Sequence, residues 1–109
     1  EGDEYKILND IKKNSKKIIF LIIEFHELNK NINKIKKFLK GLSLKIIHIH
    51  ANNYGGVDKH NNPKVIELSL SNTRQIKINS IFSKRNYPII NLDYKNLKRR
   101  NDINIKFDE

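Results

Sequence analysis

Apolar and polar positions change their spacing several times along this chain, and each change predicts an element. Glu1–Asn14 opens acidic and then sets Ile7, Leu8 and Ile11 on one helical face, so a short amphipathic helix is expected. Asp3 and Glu4 suit the positive end of its dipole, and Lys12, Lys13, Lys16 and Lys17 its exit. Ile18–Phe25 (IIFLIIEF) is apolar on both faces, the pattern of a strand covered by helices on two sides of a parallel sheet. Asn29 or Asn31 can then cap a helix whose buried stripe is Ile32, Ile35, Phe38, Leu39 and Leu42, with Gly41 as its stop. Leu44–Ala51 (LKIIHIHA) reads as a second strand. Asn52–Pro63 is turn-rich, and Lys64–Ser71 (KVIELSLS) alternates as a third strand. A loop of that length holds no crossover helix, so the second and third strands should pair antiparallel.

The predicted fold class is therefore α/β, with Ile18–Phe25 and Leu44–Ala51 parallel and an antiparallel pair at the end. Residues 1–109 form a single segment, with core elements in 1–72 and a tail in 73–109. In that tail Asn86–Asn101 is polar, while Gln75–Ile78 and the alternating Ile103, Ile105 and Phe107 are candidate edge strands.

Composition narrows the function classes. The chain has 109 residues and no Cys, which removes disulfides, zinc–thiolate sites and thiol catalysis and fits a reducing compartment such as the cytoplasm. It has no Met, so it is expected to be a segment of a longer protein. No apolar run approaches the roughly 20 residues that span a bilayer, which argues against a membrane role. The net charge of +10 invites nucleic acid as a partner, but Lys, Asn and Ile dominate the whole chain. The cations are spread rather than gathered, and no aromatic residues interleave with them as stacking platforms require. Nucleic acid is not the expected partner.

Candidate chemistry collects at one place in the pattern. In open α/β sheets ligands bind outside the carboxyl ends of the strands. The first strand ends on Glu24 and His26, and the second on His48, His50, Asn52 and Asn53. Spacing by two puts each pair on one face, and neighbouring strands would bring the two sets together. Imidazoles, a carboxylate and amides in one cluster can do general acid–base work or hold a divalent metal. Asn52-Asn53-Tyr54-Gly55-Gly56 is either a lid over a ligand or an ordinary hairpin loop. His60 lacks patterned company and reads as solvated. Glu67, inside an apolar strand, is either a buried partner of one His or outward-facing.

Glu1-Gly2-Asp3-Glu4, with IIFLIIEFH after it and HIHANNYGG before PKVIELSL, resembles the back half of FkbM-type S-adenosylmethionine-dependent methyltransferases. There a D-[IV]-E-G-x-E pattern ends one strand and begins a helix, and in a subgroup an H-x-H-x-N-N segment precedes the last antiparallel strand pair. The resemblance covers Glu1 to about Asn72. It implies the C-terminal half of the seven-stranded, Rossmann-like class I methyltransferase fold, whose final strand is antiparallel. It also implies S-adenosylmethionine as cofactor, touched here only by Glu1 and Gly2, because the family's glycine-rich loop and ribose-binding acid lie in an N-terminal half missing from this chain. The Asp of the family pattern is missing as well.

The expected function is O-methylation of a sugar or other small polar acceptor, with the fragment inactive on its own. His26, His48 or His50 would act as base, Glu24 would orient it, and Asn52, Asn53 and Tyr54 would grip the acceptor. A divalent metal held by the same groups is the variant. The rival class is a non-enzymatic basic α/β module for nucleic acid or an acidic partner, which needs one continuous basic face.

Overall fold

A computed structural model describes residues 2–72 and 86–105. Asp3–Lys6 makes one 3-10 turn and Leu8–Asn14 the helix α1, so the opening helix is two short pieces. Strand β1 is Phe20–Phe25, helix α2 Leu28–Leu39, strand β2 Leu44–Ala51 and strand β3 Ile66–Asn72. Gln75–Ile78 and Phe107 lie outside the described residues. Ile105 is described and makes a single antiparallel bridge to Tyr87.

The described residues form a small α/β arrangement of two helices on a three-stranded sheet in the order β1-β3-β2, with β3 antiparallel to both neighbours. The second and third strands pair as the sequence predicts. The first two run in the same direction but are not adjacent, because β3 lies between them. Burial explains the order. Ile66, Leu68 and Leu70 face the core, and the small Ser69 and Ser71 let the other face be covered as well. A strand buried at nearly every position belongs in the middle.

Both helices pack on one face of this sheet. Leu8 of α1 and Ile35 and Phe38 of α2 join Ile23, Phe25, Leu44, Leu68 and Leu70 in one buried cluster. Each such side chain contributes about 1.5–3 kcal/mol by leaving water. Among the described residues no helix covers the second face of β1, in contrast to the expectation from its sequence pattern, and Phe20 and Ile22 are 49% and 57% exposed. On the β2 side that face carries the segment 86–105 instead.

Strand β2 changes phase partway. Leu44 and Ile46 stand opposite Asn72 and Leu70, whereas His48 and His50 stand opposite Ser69 and Glu67, with a bulge between Ile46 and His48. The extra residue, Ile47, lets Leu44, Ile46, Ile49 and Ala51 share the helix-covered face while His48 and His50 go to the other.

Helix α2 begins at Glu27, which adopts φ 47 and gives no side-chain cap; Asn29 and Asn31 lie inside the first turn. It ends as its sequence predicts, at Gly41 in the left-handed region with φ 72. The Lys12 ammonium donates to the Lys37 and Lys40 carbonyls at 2.9 and 2.6 Å, tying α1 to the negative end of α2. Asn72 is fully buried and its amide donates to the Lys16 and Ile18 carbonyls at 3.2 and 3.0 Å, fixing the corner from α1 into β1.

Candidate functional site

The carboxyl end of β1 carries a continuous chain of polar side chains. His26 leaves the strand directly after Phe25, a fully buried ring packed between Tyr5 at 5.8 Å and Phe38 at 6.3 Å. That anchoring aims the imidazole between two carboxylates. Its Nδ1 lies 3.0 Å from Glu4 Oε1 and its Nε2 lies 3.1 Å from Glu24 Oε1. The Asn52 amide donates to the other Glu24 oxygen at 2.9 Å, and its carbonyl accepts the Tyr54 N–H at 2.9 Å. The order is Glu4, His26, Glu24, Asn52, Tyr54.

Glu4 is the inner carboxylate, with its side chain 12% exposed against 35% for Glu24. Burial alone would push its carboxyl up. The hydrogen bonds it accepts from the His26 backbone N–H, from its own amide and from the imidazole outweigh this and hold it below the usual range. Glu4 is therefore ionised at neutral pH and accepts only. Nδ1 carries the proton that meets it, and Nε2 is the ring nitrogen beside Glu24.

Beside this chain is an open cleft of about 360 Å³, lined by His26, Asn29, Lys30, Asn52, Tyr54 and Lys64 among others. Behind His26 the Tyr5 hydroxyl donates to the His26 carbonyl, and the Tyr5 ring lies under the Lys34 ammonium at 5.6 Å. Burial and the nearby Glu4 charge push the Tyr5 hydroxyl up from 10.0 to about 12. Its folded value exceeds its unfolded one, so its contribution to stability is complete below pH 10 and declines as pH rises towards 12. An absorbance titration should show a late phenolate component that Tyr5→Phe removes. Complete ionisation of every tyrosine near pH 10 would contradict it.

The sequence candidates divide. Glu24, His26 and Asn52 come together, His26 and Asn52 line the cleft, and Tyr54 lies on its rim, 67% exposed. His48 and His50 share the second sheet face with Glu24 but bond to neither it nor each other. The His48 Nε2 lies 2.7 Å from Asp93 Oδ1, and its ring meets Tyr87 edge-on at 5.2 Å. The His50 Nε2 lies 3.8 Å from Asp102 Oδ1, and both atoms are buried with no hydrogen-bond partner. Asn53 turns away from the cleft, and its amide serves the backbone of residues 97–101. Gly2 sits in the left-handed region at φ 89 with open space around it, while Glu1 lies outside the described residues. His60 is exposed in the turn that Asp58 organises.

Glu4 is the site residue that sequence reasoning passed over as a helix-dipole charge. Its part of the E-G-x-E pattern was the available signal. Among the described residues no three His, Asp or Glu side chains gather as a metal-binding group. The described basic residues occupy the helices, the loop after β2 and the turn near residue 100 alike, and no described helix is long and apolar enough to cross a membrane. Comparison with known protein families, with curated proteins and with solved structures finds no match to this chain.

Proposed function

We propose that this chain is the C-terminal, acceptor-binding part of a cytoplasmic S-adenosylmethionine-dependent methyltransferase of Rossmann-like fold, acting on a hydroxyl of a sugar or other small polar molecule. The observation that carries the reading is the Glu4–His26–Glu24–Asn52 chain at the carboxyl end of β1, opening on a cleft of monosaccharide size. The last described strand, β3, is antiparallel to the two before it, and an antiparallel last strand is what the methyltransferase reading expects. The open left-handed corner at Gly2 is the one described feature that fits the cofactor, which would supply the methyl group.

The residues of this chain account for the acceptor side. Glu4 holds Nδ1 and fixes the ring, as a buried carboxylate does in a catalytic triad. An acceptor hydroxyl entering the cleft takes the place of Glu24 at Nε2, which then receives the proton as the oxygen is methylated. Displaced Glu24 stays close enough to stabilise the imidazolium that forms. Asn52 and Tyr54 orient the acceptor, whose alignment is much of the barrier.

His26→Ala in the intact protein tests this. Methyl transfer to a hydroxyl acceptor should fall about a hundredfold or more, with S-adenosylmethionine binding retained. Unchanged turnover would remove His26 as the base, and absence of any methyl transfer by the wild-type protein would remove the reading itself.

A further inference from the structure

The loop that forms the cleft rim is held from behind by the chain's last described segment. Asn53 sits between the two rim residues Asn52 and Tyr54, yet it is only 1% exposed and faces the other way. Its amide donates to the carbonyls of Leu97 at 3.0 Å and Arg100 at 3.2 Å, and its own carbonyl accepts the Leu97 N–H at 2.8 Å. The Arg100 guanidinium returns to the rim and donates to the Tyr54 carbonyl at 2.9 Å. On the other side Asn52 is fixed by Glu24, and Gly55 lies so close to Val65 that an added Cβ would fall 2.5 Å from its Cγ2.

We propose that the turn at residues 97–101 is a positioning element for the acceptor site, and that Asn53 and Arg100 are its positioning residues. They touch no substrate. They set the height and orientation at which Asn52 and Tyr54 meet the cleft. Polar grip explains why a fully buried position in a surface loop is an amide. An apolar side chain there would leave the Leu97 N–H and carbonyl without partners. The function assigned to these two residues rests on the reading of the cleft as an acceptor site, but the mechanical coupling does not.

Two variants of the intact protein, Arg100→Ala and Asn53→Ser, separate these levels. The amides of Gly55 and Gly56 donate to the Asn52 and Asn53 carbonyls at 3.2 and 3.3 Å and report the loop directly by hydrogen exchange. In both variants their exchange should quicken by about tenfold or more while the β3 amides of Leu68 and Leu70 keep their protection. Arg100→Lys, which retains a donor, should restore most of it. For turnover, the acceptor KM should rise about tenfold with S-adenosylmethionine affinity unchanged, since misplacement of a binding group is felt at the acceptor. Arg100 is exposed, so its variant is expected to fold even where Asn53→Ser does not. Unchanged exchange at Gly55 and Gly56, or exchange that quickens equally in β3, overturns the positioning role. Loosened exchange in a protein that transfers no methyl group would leave the coupling standing and remove the methyltransferase reading.

Discussion

Deleting Ile49 is expected to destabilise the fold by roughly 2–5 kcal/mol, because an imidazole forced into an apolar layer without a partner costs about 1–3 kcal/mol and the apolar contact of Ile49 is lost as well. Ile47 is the extra residue that lets β2 change phase. Without Ile49, strict alternation back from His50 and Ala51 puts His48 on the helix-covered face, away from Asp93. Such a loss is a large fraction of the roughly 5–15 kcal/mol typical of a domain. The control is deletion of Ile47 itself. It removes only the extra residue, so alternation keeps Leu44, Ile46 and Ile49 on the helix-covered face with His48 and His50 on the other, and the urea midpoint should shift little. Equal losses from the two deletions would show that the bulge does not set the phase.

Phe25→Ala should cost about 3–5 kcal/mol, the range for removing a buried aromatic ring that the surroundings cannot refill. Phe25 is fully buried with Tyr5 and Phe38 against it, so the void would open where α2, the 3-10 turn and β1 meet. The loss should reach the site too. Tyr5 rests on this ring and holds the His26 carbonyl, and His26 is the next residue. Urea unfolding should show the lower midpoint, and the late phenolate component should move back towards 10 as Tyr5 becomes hydrated. Phe25→Leu, which keeps most of the apolar contact, should lose less of both. An alanine variant within 1 kcal/mol of the parent would mean that the helices collapse onto the gap.

Local signals in the chain carry the elements well and their arrangement poorly. Helix α2, its stop at Gly41, strand β2 and the antiparallel pairing of β2 with β3 all follow from spacing and turn residues near each element. The order of the sheet does not, since a strand's direction says nothing of its neighbour. KVIELSLS reads as half-solvated because serine is polar, yet Ser69 and Ser71 are buried where small side chains allow close cover. The bulge has a visible trace in the adjacent Ile46 and Ile47, where alternation breaks. At the site, Glu24, His26 and Asn52 are legible because each stands where its strand ends. Glu4 is not, because it reaches His26 from another element. Asn53 looks like its neighbour Asn52 in sequence, and only the turn of the backbone sends one to the cleft and the other to residues 97–101.

The position of β3 sets an order of events as the chain folds. Strand β1 is synthesised first and β2 second, but neither has a described partner until β3, the last of the three, is made. No local hairpin can nucleate β1, and its ladder closes across the whole helix–strand unit between. Non-local pairing of this kind is slow, because the entropy of closing the loop is lost before any contact forms. Until then α1 and α2 shield Ile23 and Phe25, while the backbone of β1 waits with both edges open. The chain therefore passes through a stage in which its most apolar strand is its least paired, and β3 ends that stage for both neighbours at once.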